Sequence, residues 1–307
     1  MIRSRTGTFL FKSTFHCVST GLIVSHHIAG VSNRLRESML LFGMVERYRR
    51  GKGKAPLLGS HQKCWLWGRN VVLETLRGRR WPVLELYCSD QLPQEELDVV
   101  HALAEQNATS VRVEPGASLR KRCHSTEHQG YLAKMPDFPY VDPLALLDQL
   151  IEKKKCPLLV ICDAIQDPFN LGALIRSAEV FGVDGIFIAV KYQVGVTSLV
   201  ARSSAGAVSH VPIARAENLE DIIAEVRGRG IQVLGTSDAS GIPVFECDLK
   251  KPTAMIIGNE GAGIRDALRD RSDHLIHIPQ HGRIASLNAA VSAGILFYEA
   301  RRQRTRA

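Results

Sequence analysis

Apolar residues fall into short runs that alternate between two periods. "VLELYCS" (83–89) and "SVRVE" (110–114) have the length and β-branched content of strands. "WGRNVVLETLRG" spaces its apolar residues as a helix does and stops at Gly78. "PQEELDVVHALAEQN" (93–107) is amphipathic, with acids in its first turn and Asn107 at its end. With a further strand in "GYLAKM" (130–135), these elements predict a small α/β unit over 65–136. Residues 137–156, rich in proline and holding one helical stretch, read as a linker.

A second alternation begins at "PLLVICDAI" (157–165), apolar almost throughout, as a strand buried on both faces requires. Helix 170–181, strand "GIFIAV" (185–190), a helix around 197–207 and helix 217–228 follow. Strand "IQVLGT" (231–236), strand "TAMIIG" (253–258), a short helix near 263–270, strand "HLIHIP" (274–279) and a helix from about 286 to 303 complete it. Alternating β and α predicts a parallel sheet with helices on both faces over 157–303, and ligands gather at the carboxyl ends of such strands.

Charge adds one qualification. The chain carries 39 Lys/Arg and 31 Asp/Glu; residues 1–60 hold ten and two of these, so the remainder, with 29 of each, is formally neutral. Any RNA-binding surface on the body must be a local patch. Residues 1–60 read as a basic extension, either an organellar transit peptide or an over-long start. No segment reaches the about 20 apolar residues of a membrane-spanning helix. Seven cysteines without a Cys-x-x-Cys pair suit free thiols in a reducing compartment, the cytoplasm or, if residues 1–43 are a transit peptide, a mitochondrion or plastid.

Three segments carry unusual chemistry, each after a strand of the second unit. In "DPFNLGALIR", Asp167-Pro168 sets a turn and Asn170 stands at the expected helix start, where a cap is the bland reading. Arg176 falls off the apolar face, free to reach a cleft or to pair with Glu179. "IIGNEGAGIRD" (256–266) places three glycines around Glu260. Its order is neither a dinucleotide fingerprint nor a P-loop, and the carboxylate favours a neutral or cationic ligand over phosphate. In "IPQHGRIASLNAAVSAG" (278–294) a turn leads to a helix expected from Ser286, which would cap it; Asn288 then falls inside the first turn. His274, His277 and His281 alternate with apolar residues and recruit no cysteine or aspartate, so no metal site is expected.

These stretches, in this order and spacing, resemble the three signature motifs of the SpoU (TrmH-type, SPOUT superfamily) RNA ribose 2'-O-methyltransferases. Residues 65–136 are similar to the ribosomal-protein-like substrate-binding domain of bacterial 23S rRNA guanosine 2'-O-methyltransferases. The resemblance covers about 65–303. It implies an α/β catalytic domain with a C-terminal trefoil knot, S-adenosyl-L-methionine as methyl donor, RNA as substrate and a homodimer. By motif position it assigns catalysis to Asn170, Arg176, Glu260, Ser286 and Asn288. It gives cofactor contacts to Thr236, Gly258, Ile278 and Leu287. Arg120, Lys121, Arg122, His128 and Gln129 are the candidate RNA contacts, against a solvated basic run and a polar turn. Methylation of large-subunit rRNA is the leading expectation. A tRNA methyltransferase and a catalytically silent RNA-binding protein are the alternatives.

Overall fold

The computed structural model describes residues 64–305 other than Ala239 and Ala285; the 1–60 extension expected above lies outside the described residues. The first unit holds β1 (Trp65–Trp67), α1 (Arg69–Gly78), β2 (Glu85–Ser89), α2 (Gln94–Gln106), β3 (Val111–Glu114), α3 (Gly116–Cys123) and β4 (Tyr131–Lys134). Its strands form one sheet in the order β1-β4-β2-β3, parallel between β2 and β3 and antiparallel elsewhere. Leu66, Leu76, Leu86, Leu119 and Leu132 fill its core with Trp81, whose indole N–H donates to the Pro136 carbonyl at 3.0 Å.

Two elements here differ from the expectation. Trp67, read as the first residue of a helical stretch, instead ends the strand Trp65–Trp67, and the helix starts at Arg69. Arg120-Lys121-Arg122, weighed as a solvated basic run, lie in the helix α3, because Leu119 and Cys123, four residues apart, bury one face while the basic residues take the others.

Helix α4 (Pro143–Lys153), capped by Asp142, leads into the second unit. This contains β5 (Leu158–Cys162), α5 (Pro168–Val180), β6 (Gly185–Ala189), α6 (Ser198–Ser203), β7 (Ile213–Ala216), α7 (Leu219–Gly228) and β8 (Gln232–Ser237). The two-residue β9 (Ile242–Pro243), β10 (Thr253–Ile257), α8 (Asp266–Arg269), β11 (His274–His277) and α9 (Ala289–Thr305) complete it. The seven strands run parallel in the order β7-β6-β5-β10-β8-β11-β9. Every residue of β5, β6 and β10 is buried, which is why these strands are apolar but for Thr253 at the start of β10. From β5 the chain builds outward on one side through β6 and β7, then returns to β8 and β10 on the other. Folds with such a reversal gather ligands at the carboxyl ends of the strands beside it. Among the described residues no helix is long and apolar enough to cross a membrane, and no disulfide joins the six cysteines.

The two units share a packed seam. Helix α1 lies on the turn 206–210: the Ser209 hydroxyl donates to Thr75 Oγ1 at 3.2 Å, and His210 Nε2 meets Glu74 Oε2 at 2.8 Å. Arg202 stacks 4.0 Å over the Trp67 ring and reaches Glu127 at 3.3 Å. Contact is so close that a Cβ on Gly78 would sit 2.2 Å from the Ser209 carbonyl oxygen. Gly78→Ala is therefore expected to lower stability by about 1–3 kcal/mol through forced separation of the seam, read in urea denaturation. An unchanged midpoint would show that the seam yields freely.

Candidate active site

Four loops meet at the carboxyl edge of the parallel sheet. They follow β5, β10, β8 and β11; the last three, with the start of α9, line a cavity of about 210 Å³, and the loop after β5 meets its rim through Asn170. Thr236, Gly258, Glu260, Ile278 and Leu287 line it, so all four expected cofactor contacts share one hollow. Thr236 spends its hydroxyl on the Ile256 carbonyl, 2.9 Å away.

The loop after β10 owes its shape to groups that sequence reading passed over. Asn259 and Gly263 exchange backbone hydrogen bonds of 3.0 and 2.9 Å, closing a tight ring. The Asn259 side chain donates to the Ala164 carbonyl at 2.9 Å and accepts from the Gly261 amide at 2.9 Å. Asp163, fully buried at the end of β5, accepts from the Arg265 amide at 2.9 Å and from its guanidinium Nε at 2.7 Å. The available signals were a carboxylate ending an apolar strand and an arginine just past the glycine loop. Gly258 is forced to be glycine, since a Cβ there would lie 2.3 Å from the Gly263 carbonyl carbon.

Glu260 is thereby held at the meeting point of two helix starts. Asn170 donates its side-chain amide to Glu260 Oε1. Asn288 donates to the same oxygen at 3.2 Å and to Asn170 Oδ1 at 3.0 Å. The capping roles differ from the expectation. Asp167, not Asn170, caps α5 by accepting from the Phe169 amide, because Pro168 takes the first helical position and pushes Asn170 into the first turn. Likewise α9 starts at Ala289 rather than Ser286, and Asn288 caps it through Oδ1, accepting from Ala290 and Val291 at 3.0 and 3.2 Å. Asn170 is left with a free amide, and Asn288 uses one end for the helix and the other for the carboxylate.

The other two expected catalytic residues stand apart. Ser286 is exposed and does not line the cavity. Arg176 is exposed on α5, outside the cavity and without the Glu179 ion pair. It lies six positions along the helix from Asn170, a rotation that turns it to another face. It shares that face with Phe169 and Val180, which are 59 % and 65 % exposed.

Of the expected RNA contacts, Arg120, His128 and Gln129 line a separate cleft on the first unit, and Lys121 is exposed beside them. Gln129 accepts from the Arg69 amide at 2.9 Å, capping α1, and so keeps only its NH₂ for a ligand. His128 Nδ1 accepts from the Gly130 amide at 3.0 Å; burial and then Arg120 hold its pKa below the ordinary histidine value, so it is a neutral Nε2–H donor. Arg122 is spent on Glu114 at 2.8 and 2.9 Å and on the face of Tyr87. Among the described residues no group of three or more His, Cys, Asp and Glu is placed to hold a metal ion.

Comparison with known proteins places this geometry. Residues 157–298 match the SpoU rRNA Methylase family, and residues 65–141 match the domain described as RNA 2'-O ribose methyltransferase substrate binding. A putative TrmH family tRNA/rRNA methyltransferase, YacO of Bacillus subtilis, is 34 % identical over 245 residues, covering 80 % of this chain and 98 % of that one. The chain belongs to the SpoU rRNA methylase family. A 23S rRNA (guanosine-2'-O-)-methyltransferase, RlmB of Shewanella oneidensis, is 33 % identical over 239 residues, 78 % of this chain and 97 % of the other. The AdoMet-bound rRNA methyltransferase from Sinorhizobium meliloti shares the fold with a TM-score of 0.66 at 30 % identity, over 78 % of this chain and 86 % of that one. This SpoU protein is an S-adenosylmethionine-dependent RNA methyltransferase.

The cavity suits that cofactor. Apolar Ile257, Ile278 and Leu287 offer surfaces for a flat base, and the 258–263 loop offers peptide edges. Glu260, Asp238 and Arg269 also line it, a mixture of charges fit for a ligand carrying ammonium, sulfonium and carboxylate groups. Gly258→Ala would push the loop off Gly263 and is expected to weaken S-adenosylmethionine binding about tenfold or more. Titration calorimetry reads this directly; wild-type affinity would mean that the loop does not shape the cofactor site.

Proposed function

We propose that the protein methylates a ribose 2'-hydroxyl, most specifically of a guanosine in 23S-type large-subunit rRNA, and that it works as a homodimer. The observation that carries this reading is the Asn170–Glu260–Asn288 cluster at the rim of the cofactor cavity. Bound S-adenosylmethionine supplies a methyl group activated by positive sulfur. A 2'-hydroxyl is a weak nucleophile until its proton is drawn away. Glu260 is the group in the cavity suited to accept or relay that proton, and the two amides orient it without supplying a competing charge. Asn170 and Asn288 also fix α5 and α9 relative to the glycine loop, so ribose and donor meet aligned.

Arg176 fits as an electrostatic activator and phosphate grip, since a guanidinium stays charged and its planar fork holds phosphate bidentately. In a single chain it faces away from the cavity. Its face of α5 carries exposed Phe169 and Val180, and α9, packed alongside, exposes Val291, Ile295 and Tyr298. Two adjoining apolar stripes support association of a second copy there. We infer that the partner copy delivers its arginine to this site, with Ser286 as a further contact to RNA. The knot implied by the family resemblance belongs to the same reading. Arg120, Lys121, His128 and Gln129 would select the RNA, with Arg122 bracing Glu114. The similarity of residues 65–141 to a substrate-binding domain and the RlmB relative support rRNA over tRNA.

Methyl transfer to total rRNA and to tRNA, measured with labelled cofactor, tests the substrate. Arg176→Lys is expected to bind cofactor normally and to lose roughly 100-fold or more in transfer. Mixing Arg176→Lys with Glu260→Gln subunits should recover part of the activity, because one of the two mixed sites is intact. No recovery in proven mixed dimers would place both residues in one chain's site.

A further inference from the structure

A second hollow, of about 340 Å³, opens at the opposite edge of the seven-stranded sheet, where Cys156 leads into β5 beneath the last turns of α9. Lys154, Lys250, Arg301 and Arg304 line it against a single carboxylate, Asp184. Asp184 is already engaged: Lys154 Nζ lies 3.2 Å from one oxygen, and the Leu158 amide donates to the other at 2.9 Å. Helix α5, 13 residues and so about 20 Å long, separates this hollow from the Asn170 end.

Arg304 forms the floor. Its guanidinium donates to the carbonyls of Cys156, Leu249 and Lys251 at 2.8, 2.9 and 2.9 Å, and reaches that of Pro157 at 3.4 Å. Carbonyl oxygens satisfy its N–H groups but leave its charge whole, and among the described residues no carboxylate lies within ion-pair distance. A half-buried cation without a counter-ion is costly unless an anion completes it. Burial, with Arg301 nearby, holds Arg304 below the ordinary arginine range against the opposing pull of Asp184. Lys250 and Arg301 are exposed at the wall, with no ion-pair partner among the described residues. The chain from residue 61 onward is formally neutral, so three unneutralised cations around one hollow are a local concentration.

We propose that this hollow is a phosphate-binding site, with Arg304 as its fixed floor, Lys250 and Arg301 as its adjustable walls, and an RNA phosphodiester as the occupant. RNA as occupant rests on the RNA methyltransferase reading; the phosphate chemistry does not. The site would hold the substrate about 20 Å from the reacting ribose, adding grip without touching the reaction.

The test uses the full chain and a Lys250→Gln/Arg301→Gln double variant, which leaves Arg304 and its carbonyl bonds in place. RNA affinity is measured by fluorescence anisotropy across a salt series, and thermal midpoints are measured with and without inorganic phosphate. Cofactor affinity by calorimetry serves as the folding control. The variant is expected to bind RNA several-fold more weakly, with a salt slope smaller by about 0.7 per lost contact. It should also lose the phosphate-induced rise in midpoint at unchanged cofactor affinity. Loss of phosphate stabilisation with an unchanged RNA slope supports the site with a free anion as its source. Unchanged RNA slope together with unchanged phosphate stabilisation overturns it. A wild-type protein that methylates no RNA would sink the proposed function instead, while the phosphate readout still decides this site.

Discussion

Asp163 is a carboxylate with no exposure to water, at the carboxyl end of the strand where the sheet reverses its order. Its bonds to the amide and guanidinium of Arg265 tie the loop after β10 to the loop after β5. A buried charge of this kind holds its place only while it is paired and hydrogen-bonded. Asn259 adds a second tie, from the same loop to Ala164. With these struts in place, the glycine ring closes and Glu260 meets Asn170 and Asn288 from two separate helices. Asp163 does not itself line the cavity, yet the glycine loop that does is held in place by these ties.

Side chains at helix starts have divided their duties in this site. Asp167 takes over the capping of α5, so Asn170 can spend its amide on Glu260. Asn288 serves both, with its oxygen toward the α9 amides and its nitrogen toward the cluster. Such double use makes the position of the carboxylate a consequence of helix geometry rather than of a flexible loop. It also explains why asparagine, a mediocre helix former, is found at both starts.

The cleft of the first unit and the seam beside it are likewise fixed by internal bonds. The 126–130 turn is locked by the His128 and Gln129 bonds, and the seam from α1 to the turn 206–210 is tight enough to require glycine at position 78. The substrate-binding unit therefore sits against the catalytic unit through packed side chains and not through a bare linker. At the far edge of the sheet, Arg304 stitches α9 to the segments before β5 and β10 and leaves its charge unanswered.

The alternation of buried runs with amphipathic helices was enough to specify a parallel sheet, since strands covered on both faces must be apolar throughout. The resemblance of the three glycine- and asparagine-bearing segments to the SpoU motifs, and of "VLGT" to a further family position, implied cofactor contacts at Thr236, Gly258, Ile278 and Leu287, and these line one cavity together with Glu260. Helix α3 escaped because two buried residues in eight give little periodicity against a run of bases. The roles of Asn170 and Asn288 escaped because a helix start shifted by two or three residues exchanges a cap for a free amide. Only the tertiary structure decided those starts, turned Arg176 from the cavity toward an exposed apolar stripe, and brought Asp163 to Arg265 across about a hundred residues. Local pattern records which face of an element is buried; which loops then touch depends on strand order, and strand order is set by packing between segments far apart in the chain.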